Sequence, residues 1–162
     1  MTDDKRPREW TKFVVGSHWV LVDTEDIPIL SRFTWSVRKN RKTFYSVTNV
    51  RIGGKQTSVS MHRLILGLPS SEIDHINRNG LDNRKSNLRF CTKAENQRNR
   101  VRVNKFGYRG VYWHSGRFAC QIQLDGKRVH RYGFATAELA AREYDKLSKE
   151  LHGEFGIRNF KD

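Results

Sequence analysis

Residues 12–22 carry β-branched and aromatic side chains around a Gly16-Ser17 break, and residues 43–50 and 56–61 alternate polar with apolar positions. That period-two pattern predicts the strands of a small sheet. Between them, Asp26 to Trp35 opens on an acidic residue, has Pro28 in its first turn, and spaces Ile27, Leu30 and Phe33 along one face, which predicts a short helix. Lys39 to Lys42 and Gly53 to Lys55 read as hairpin turns. His62 to Gly67 is apolar enough for a buried helix or strand and is closed by Gly67-Leu68-Pro69. Residues 72–99 follow as strand, turn, strand and helix.

Apolar periodicity then stops. From Asn96 to Lys105 the charges are almost all positive, which predicts a helix end running into a basic linker. It resumes near Gly107. Tyr108–Tyr112, Arg117–Leu124 and Lys127–Tyr132 read as three strands, the last two joined by an Asp125-Gly126 turn. Thr136 is an N-cap for a helix whose Ala140, Tyr144, Leu147 and Leu151 share a face, ended by Gly153. The domain reading is a β-rich region over 1–60, a module over 61–100, a linker over 101–107 and a second module over 108–161.

A 36% hydrophobic content in 162 residues suits small modules better than one large core. Thirty-one Lys and Arg against 17 Asp and Glu, a net charge of +14, make a polyanion the expected partner. Cys91 and Cys120 are too few for a disulfide framework or a cysteine-ligated zinc ribbon. With no apolar run long enough to span a membrane and no signal-peptide pattern, the expected location is the cytoplasm, that of the host cell if the gene is a phage's.

The chemistry concentrates in residues 72–99. Hydrolysis of a phosphodiester needs a base for water and a cation for the charge that builds on phosphate and leaving oxygen. His75 suits the base, because an ordinary imidazole is largely neutral at pH 7. Asp74 suits a hard cation. Thr92-Lys93-Ala94-Glu95 is a capping box that puts Asn96 at the end of a helical first turn, where its amide oxygen can complete the metal site. Asn87, just before an apolar strand, is placed to accept a hydrogen bond from His75 and fix its tautomer. Asp74 and His75 are neighbours, so an ideal strand would point them to opposite faces; a strand end or twist is required here. His62 either supports this site or packs beside Leu64 and Leu66, while His18 and His152 join no constellation.

Residues 61–99, with Met61-His62-Arg63-Leu64-Ile65, Asp74-His75-Ile76-Asn77, Asn87-Leu88-Arg89 and Glu95-Asn96-Gln97-Arg98-Asn99, closely resemble the HNH endonucleases of phages and mobile introns. The resemblance implies a ββα-metal finger, with His75 as general base, Asn87 orienting it, and Asp74 with Asn96 binding one divalent cation. Asn96 stands where the family's last His is common, so oxygen ligands and Mg²⁺ or Mn²⁺ are implied.

In the last module, strand alternation puts Phe118, Cys120, Ile122 and Leu124 on a helix-facing side and leaves Ala119, Gln121 and Gln123 on a free side. Tyr112, His114, Gln121, Gln123, Arg128 and His130 then form a polar sheet face of the kind that reads base edges. Residues 107–160 resemble the Apetala-type DNA-binding domain of plant ethylene-response factors, on Tyr108-Arg109-Gly110-Val111-Tyr112, Gly116-Arg117-Phe118-Ala119-Cys120-Gln121-Ile122, Phe134 to Asp145 and Gly156 to Phe160. That resemblance adds Arg109 and Gly110 to the DNA-facing set. The plant pattern has Arg or Trp at several of these positions, so its target sequence does not transfer.

The expected fold class is α+β: a small β-rich N-terminal region, a ββα-metal finger, and a three-stranded antiparallel sheet with one packed helix. The expected function is a metal-dependent DNA endonuclease of the homing type that leaves 5′-phosphate and 3′-hydroxyl ends, with double-stranded DNA as partner. Arg98, Arg100, Arg102 and Lys105 would track its backbone. No protein partner is implied, and a monomer or weak dimer would nick. The competing reading is a non-catalytic DNA-binding regulator.

Overall fold

The computed structural model describes residues 9–40, 43–99 and 103–160, and the chain divides into two compact units, Met1–Thr92 and Lys93–Asp162. Both mix short helices with small antiparallel sheets. Among the described residues no helix is long and apolar enough to cross a membrane.

In the first unit, β1 (Trp10–Val15) and β2 (His18–Asp23) form a hairpin closed at Gly16, whose φ of +58° suits a residue without a side chain. A 3₁₀ turn over Thr24–Asp26 leads into α1 (Ile27–Leu30), a single turn with proline at its start. The expected helical face is shorter than the sequence implied: Phe33 lies beyond the helix, and the Trp35 indole N–H donates to the Leu30 carbonyl at 2.8 Å. That bond satisfies a carbonyl which a longer helix would have used.

Strands β3 (Ser36–Asn40), β4 (Thr43–Ile52) and β5 (Lys55–Ser60) form an antiparallel sheet in that order. Gly53 and Gly54, both at positive φ, make the β4–β5 turn. Of the expected turn at 39–42, Arg41 and Lys42 lie outside the described residues. Helix α2 (Met61–Ile65) follows, then β6 (Glu72–His75) paired antiparallel with β7 (Leu88–Cys91). The core gathers Val15, Val20, Val22, Leu30 and Met61, with Leu64, Ile65 and Leu81 packed against it. The β1–β2 hairpin, α2 and the long β6–β7 loop therefore share one apolar centre.

The second unit starts with α3 (Lys93–Arg98) and continues as β8 (Val111–His114), β9 (Arg117–Leu124), β10 (Lys127–Phe134) and α4 (Ala137–His152), with β9 central. The first of these strands begins at Val111 rather than Tyr108. Gly110 sits at φ +74° with Gln121 O 2.7 Å from where a Cβ would stand and the Tyr144 ring closer still, so the chain bends into the sheet there. Thr136 caps α4 by accepting from the Leu139 N–H at 3.2 Å, as the sequence predicts. Ala140, Tyr144 and Leu147 are buried against Val111, Cys120 and Ile122.

Candidate active site

β6 ends at His75, and Ile73, Asp74 and His75 are all buried. The strand end that the sequence required is present, and the chain turns away through Arg78, whose φ of +65° is unusual for a side-chain-bearing residue. Directly across the ladder, Asp74 pairs with Arg89 and His75 with Leu88. Arg89 donates from Nε and a terminal nitrogen to Asp74 Oδ2 at 3.0 and 2.8 Å, which fixes the carboxylate beside the imidazole.

The imidazole is held by a residue other than the one expected. His75 Nε2 faces Asn83 Oδ1 at 3.3 Å, and Asn83 is wholly buried, its amide nitrogen directed at Met61 Sδ. Asn87 does different work: its Oδ1 accepts from the Asn77 backbone N–H at 3.0 Å, and its Nδ2 donates to Asn77 Oδ1 and to the Asp82 carbonyl. It ties the loop that delivers Asn83. Asp82, 1% exposed, receives both forks of Arg84 at 2.7 Å and the Asn77 amide. Burial alone would raise its carboxyl, but the Arg84 and Asn77 bonds bring it below the ordinary value.

Leu21, Asp23, Glu25, Asp26 and Thr43 brace this loop. Leu21 bonds to Leu81 O and Asn83 N at 2.8 and 2.7 Å, a bridge that adds the loop to the edge of β2. The Lys85 N–H donates to Asp23 at 2.8 Å, and its ammonium meets Glu25 and Asp26 at 2.6 and 2.8 Å. Of the carboxylates of Asp23, Glu25 and Asp26, clustered within 4.8 Å, the last two thus already hold a cation supplied by the chain and the first accepts a backbone N–H. Gly80 N donates to Thr43 Oγ1 at 3.2 Å, with the Tyr45 ring against it.

Tyr45 and His62 wall the base. Their ring centroids lie 5.7 and 4.9 Å from that of His75, both edge-on. Burial lowers the His75 pKa, against the Asn83 bond and the charges of Asp74 and Asp82, which raise it. Burial first, then proximity to the His75 ring and the Arg63 guanidinium, push His62 down to about 3. Both rings are neutral at physiological pH.

With this geometry in view, comparison with known proteins identifies the family. Residues 61–98 match the HNH endonuclease family. Over 145 residues the chain is 30% identical to an HNH endonuclease of Acanthamoeba polyphaga mimivirus, an alignment covering 87% of this chain and 74% of that protein. The chain belongs to the HNH endonuclease family. This HNH endonuclease is also 32% identical over 87 residues to the H-N-H endonuclease F-TflI of Escherichia phage T5, covering 48% of this chain and 41% of the phage protein. No solved structure matches it. Its activity is therefore hydrolysis of phosphodiester bonds within DNA.

Asn96 lies on α3 of the second unit, which starts at Lys93. In that unit of the endonuclease, Gln121, Gln123 and Arg128 are exposed on the open side of the sheet, as their alternation predicts. Ala119 is instead fully buried. The hydroxyl of Tyr112 reaches Nδ1 of His130 at 2.8 Å from strands on either side of β9, and the rings of His114 and Tyr132 join them. Tyr112 and His130 are thus bonded to each other within the face. Arg98, Arg109 and Arg128, with Gln97, Gln121 and Gln123, line a groove of about 530 Å³. Arg109 Nε donates to the Tyr144 hydroxyl at 2.7 Å, while Gly110 is half-buried at the bend. Lys105 is exposed, and Arg100 and Arg102 fall outside the described residues.

Proposed function

We propose that the chain is a homing-type nuclease for double-stranded DNA in which His75 deprotonates the attacking water. The observation that carries this reading is the buried His75 ring with Nε2 set against the Asn83 carbonyl oxygen. The ring proton then resides on Nε2, and the Nδ1 lone pair is the base. Asn87 acts one step further out, by holding the loop from Asn77 to Asp82.

Asp74, with Asn96 as the motif's other oxygen donor, is proposed to hold one Mg²⁺ or Mn²⁺. A buried carboxylate and a carboxamide are hard donors that suit such an ion. When bound, it neutralises charge on the phosphate and the departing 3′ oxygen. Arg89 keeps Asp74 aimed. Departure of the 3′ oxygen leaves 5′-phosphate and 3′-hydroxyl ends, and a single site in a monomer nicks one strand.

The second unit is proposed as an Apetala-type DNA-binding domain. Gln121, Gln123 and Arg128 would read base edges beside Tyr112, His114 and His130, and Arg98, Arg100, Arg102, Lys105 and Arg109 would contact phosphates, with Gly110 allowing close approach. The alternating exposure of β9 and the arginine-lined groove support it. Incubating supercoiled plasmid with and without Mg²⁺ and mapping the ends tests the whole. Open circles with ligatable ends, formed only with metal, are expected; metal-independent cleavage or 3′-phosphate ends contradict it.

A further inference from the structure

His62 opens α2 beside Met61, which is fully buried in the core of the first unit. Leu64 and Ile65 of the same helix pack on that core. The His62 ring stands edge-on to His75, centroids 4.9 Å apart at 84°, and Tyr45 closes a triangle with them, 5.9 Å from His62 and 5.7 Å from His75. Whereas His75 is 5% exposed, His62 beside it is only half-buried.

A wall built only for packing would serve as well with Phe or Leu. An imidazole carries a donor and an acceptor, and a polar group that loses water needs a partner. Among the described residues, His62 has ring contacts with Tyr45 and His75 and no hydrogen bond to either nitrogen. Because burial keeps it neutral, it offers one N–H and one lone pair rather than a charge. A neutral donor beside a base that takes a proton from water does not compete for that proton.

We propose that His62 is a further catalytic residue of the nuclease, donating a hydrogen bond from its imidazole to a non-bridging oxygen of the scissile phosphate while His75 takes the proton of water. This rests on the assignment of His75 as the base. The negative charge on those oxygens is what a fixed donor in a partly dry site stabilises best.

The test compares His62→Phe, which keeps a ring, with His62→Gln, which keeps an N–H donor. Single-turnover cleavage at saturating DNA and Mg²⁺, DNA binding without metal, and melting temperature are measured for both, with His75→Ala run in parallel. His62→Phe should melt and bind like the parent but cleave about 100-fold more slowly, and His62→Gln should recover part of that loss. Parental cleavage by His62→Phe, or recovery tracking ring size rather than the donor, overturns the proposal. Should His75→Ala cleave normally, the base assignment fails, whatever His62 does. A second reading uses the unaltered protein: ring ¹⁵N resonances of His62 should shift on adding a phosphorothioate duplex in metal-free buffer. An unmoved His62 signal with DNA bound overturns the proposal without any variant.

Discussion

Replacing Asn83 by alanine separates orientation of the base from stability of its loop. Asn83 is 0% exposed and its Oδ1 faces His75 Nε2 at 3.3 Å, so Asn83→Ala leaves a buried N–H without an acceptor. That should cost about 1–3 kcal/mol of folding stability. The imidazole also loses what fixes its tautomer, and removal of such an orienting partner typically slows an active site about 10- to 100-fold, or about 1.4–2.7 kcal/mol in barrier. Urea unfolding gives the first quantity and single-turnover nicking the second. In a double-mutant cycle with His75→Ala, the two losses in stability should couple by about 0.5–3 kcal/mol, since the removed groups are partners. Asn87→Ala should differ in kind: three hydrogen bonds to Asn77 and Asp82 go, so it loosens the loop more than it misorients the ring. Additive stabilities for Asn83 and His75, with parental nicking by Asn83→Ala, would refute the reasoning.

Gly80→Ala should destabilise the first unit by about 1–3 kcal/mol, read from the urea midpoint, because a Cβ there meets Phe44 O and lies 2.6 Å from the Tyr45 ring, and backbone cannot give way. His152 donates from Nε2 to the Gln123 carbonyl at 2.9 Å, and its pKa is lowered by burial first and then by the positive charges of Arg98 and Arg109, against the Gln123 bond and Asp125. Its unfolded form takes up a proton more readily, so stability is full above the ordinary value of 6.5 and falls as pH drops below it toward the lowered folded value; His152→Gln should flatten that part of the melting temperature profile. Arg128→Ala should weaken DNA binding and relax sequence preference, as expected of a side chain that reads base edges; a salt slope reduced by about one with sequence preference intact would assign it to phosphate instead.

Much of the fold could be read along the chain because its signals are local. The Gly16 and Gly53-Gly54 turns, the Thr136 cap and the helical face of α4 each depend on residues within a few positions. The family motif marked Asp74, His75, Asn87 and Asn96 for the same reason. Asn83 was not legible: Asn77, Asn79, Asn83 and Asn87 all look like loop carboxamides, and only the bridge from Leu21, some 60 positions away, decides which one meets the imidazole. Ala119 was assigned to an open face by alternation. Its small side chain is what lets Tyr112 and His130 bond over the central strand, and that closes the face above it. The role of residues 10–60 as a brace for the nuclease loop likewise depends on pairings that no periodicity encodes.

The most direct test of the account is plasmid nicking by His75→Ala in Mg²⁺, with DNA affinity and melting temperature measured on the same preparation. Cleavage should vanish while DNA binding persists, because the arginines proposed to bind DNA lie in the second unit, and the melting temperature should fall only by what loss of the buried Asn83 contact costs. Undiminished nicking would show that another group activates the water, and the arrangement around Asp74, His75 and Asn83 would not be the nuclease centre.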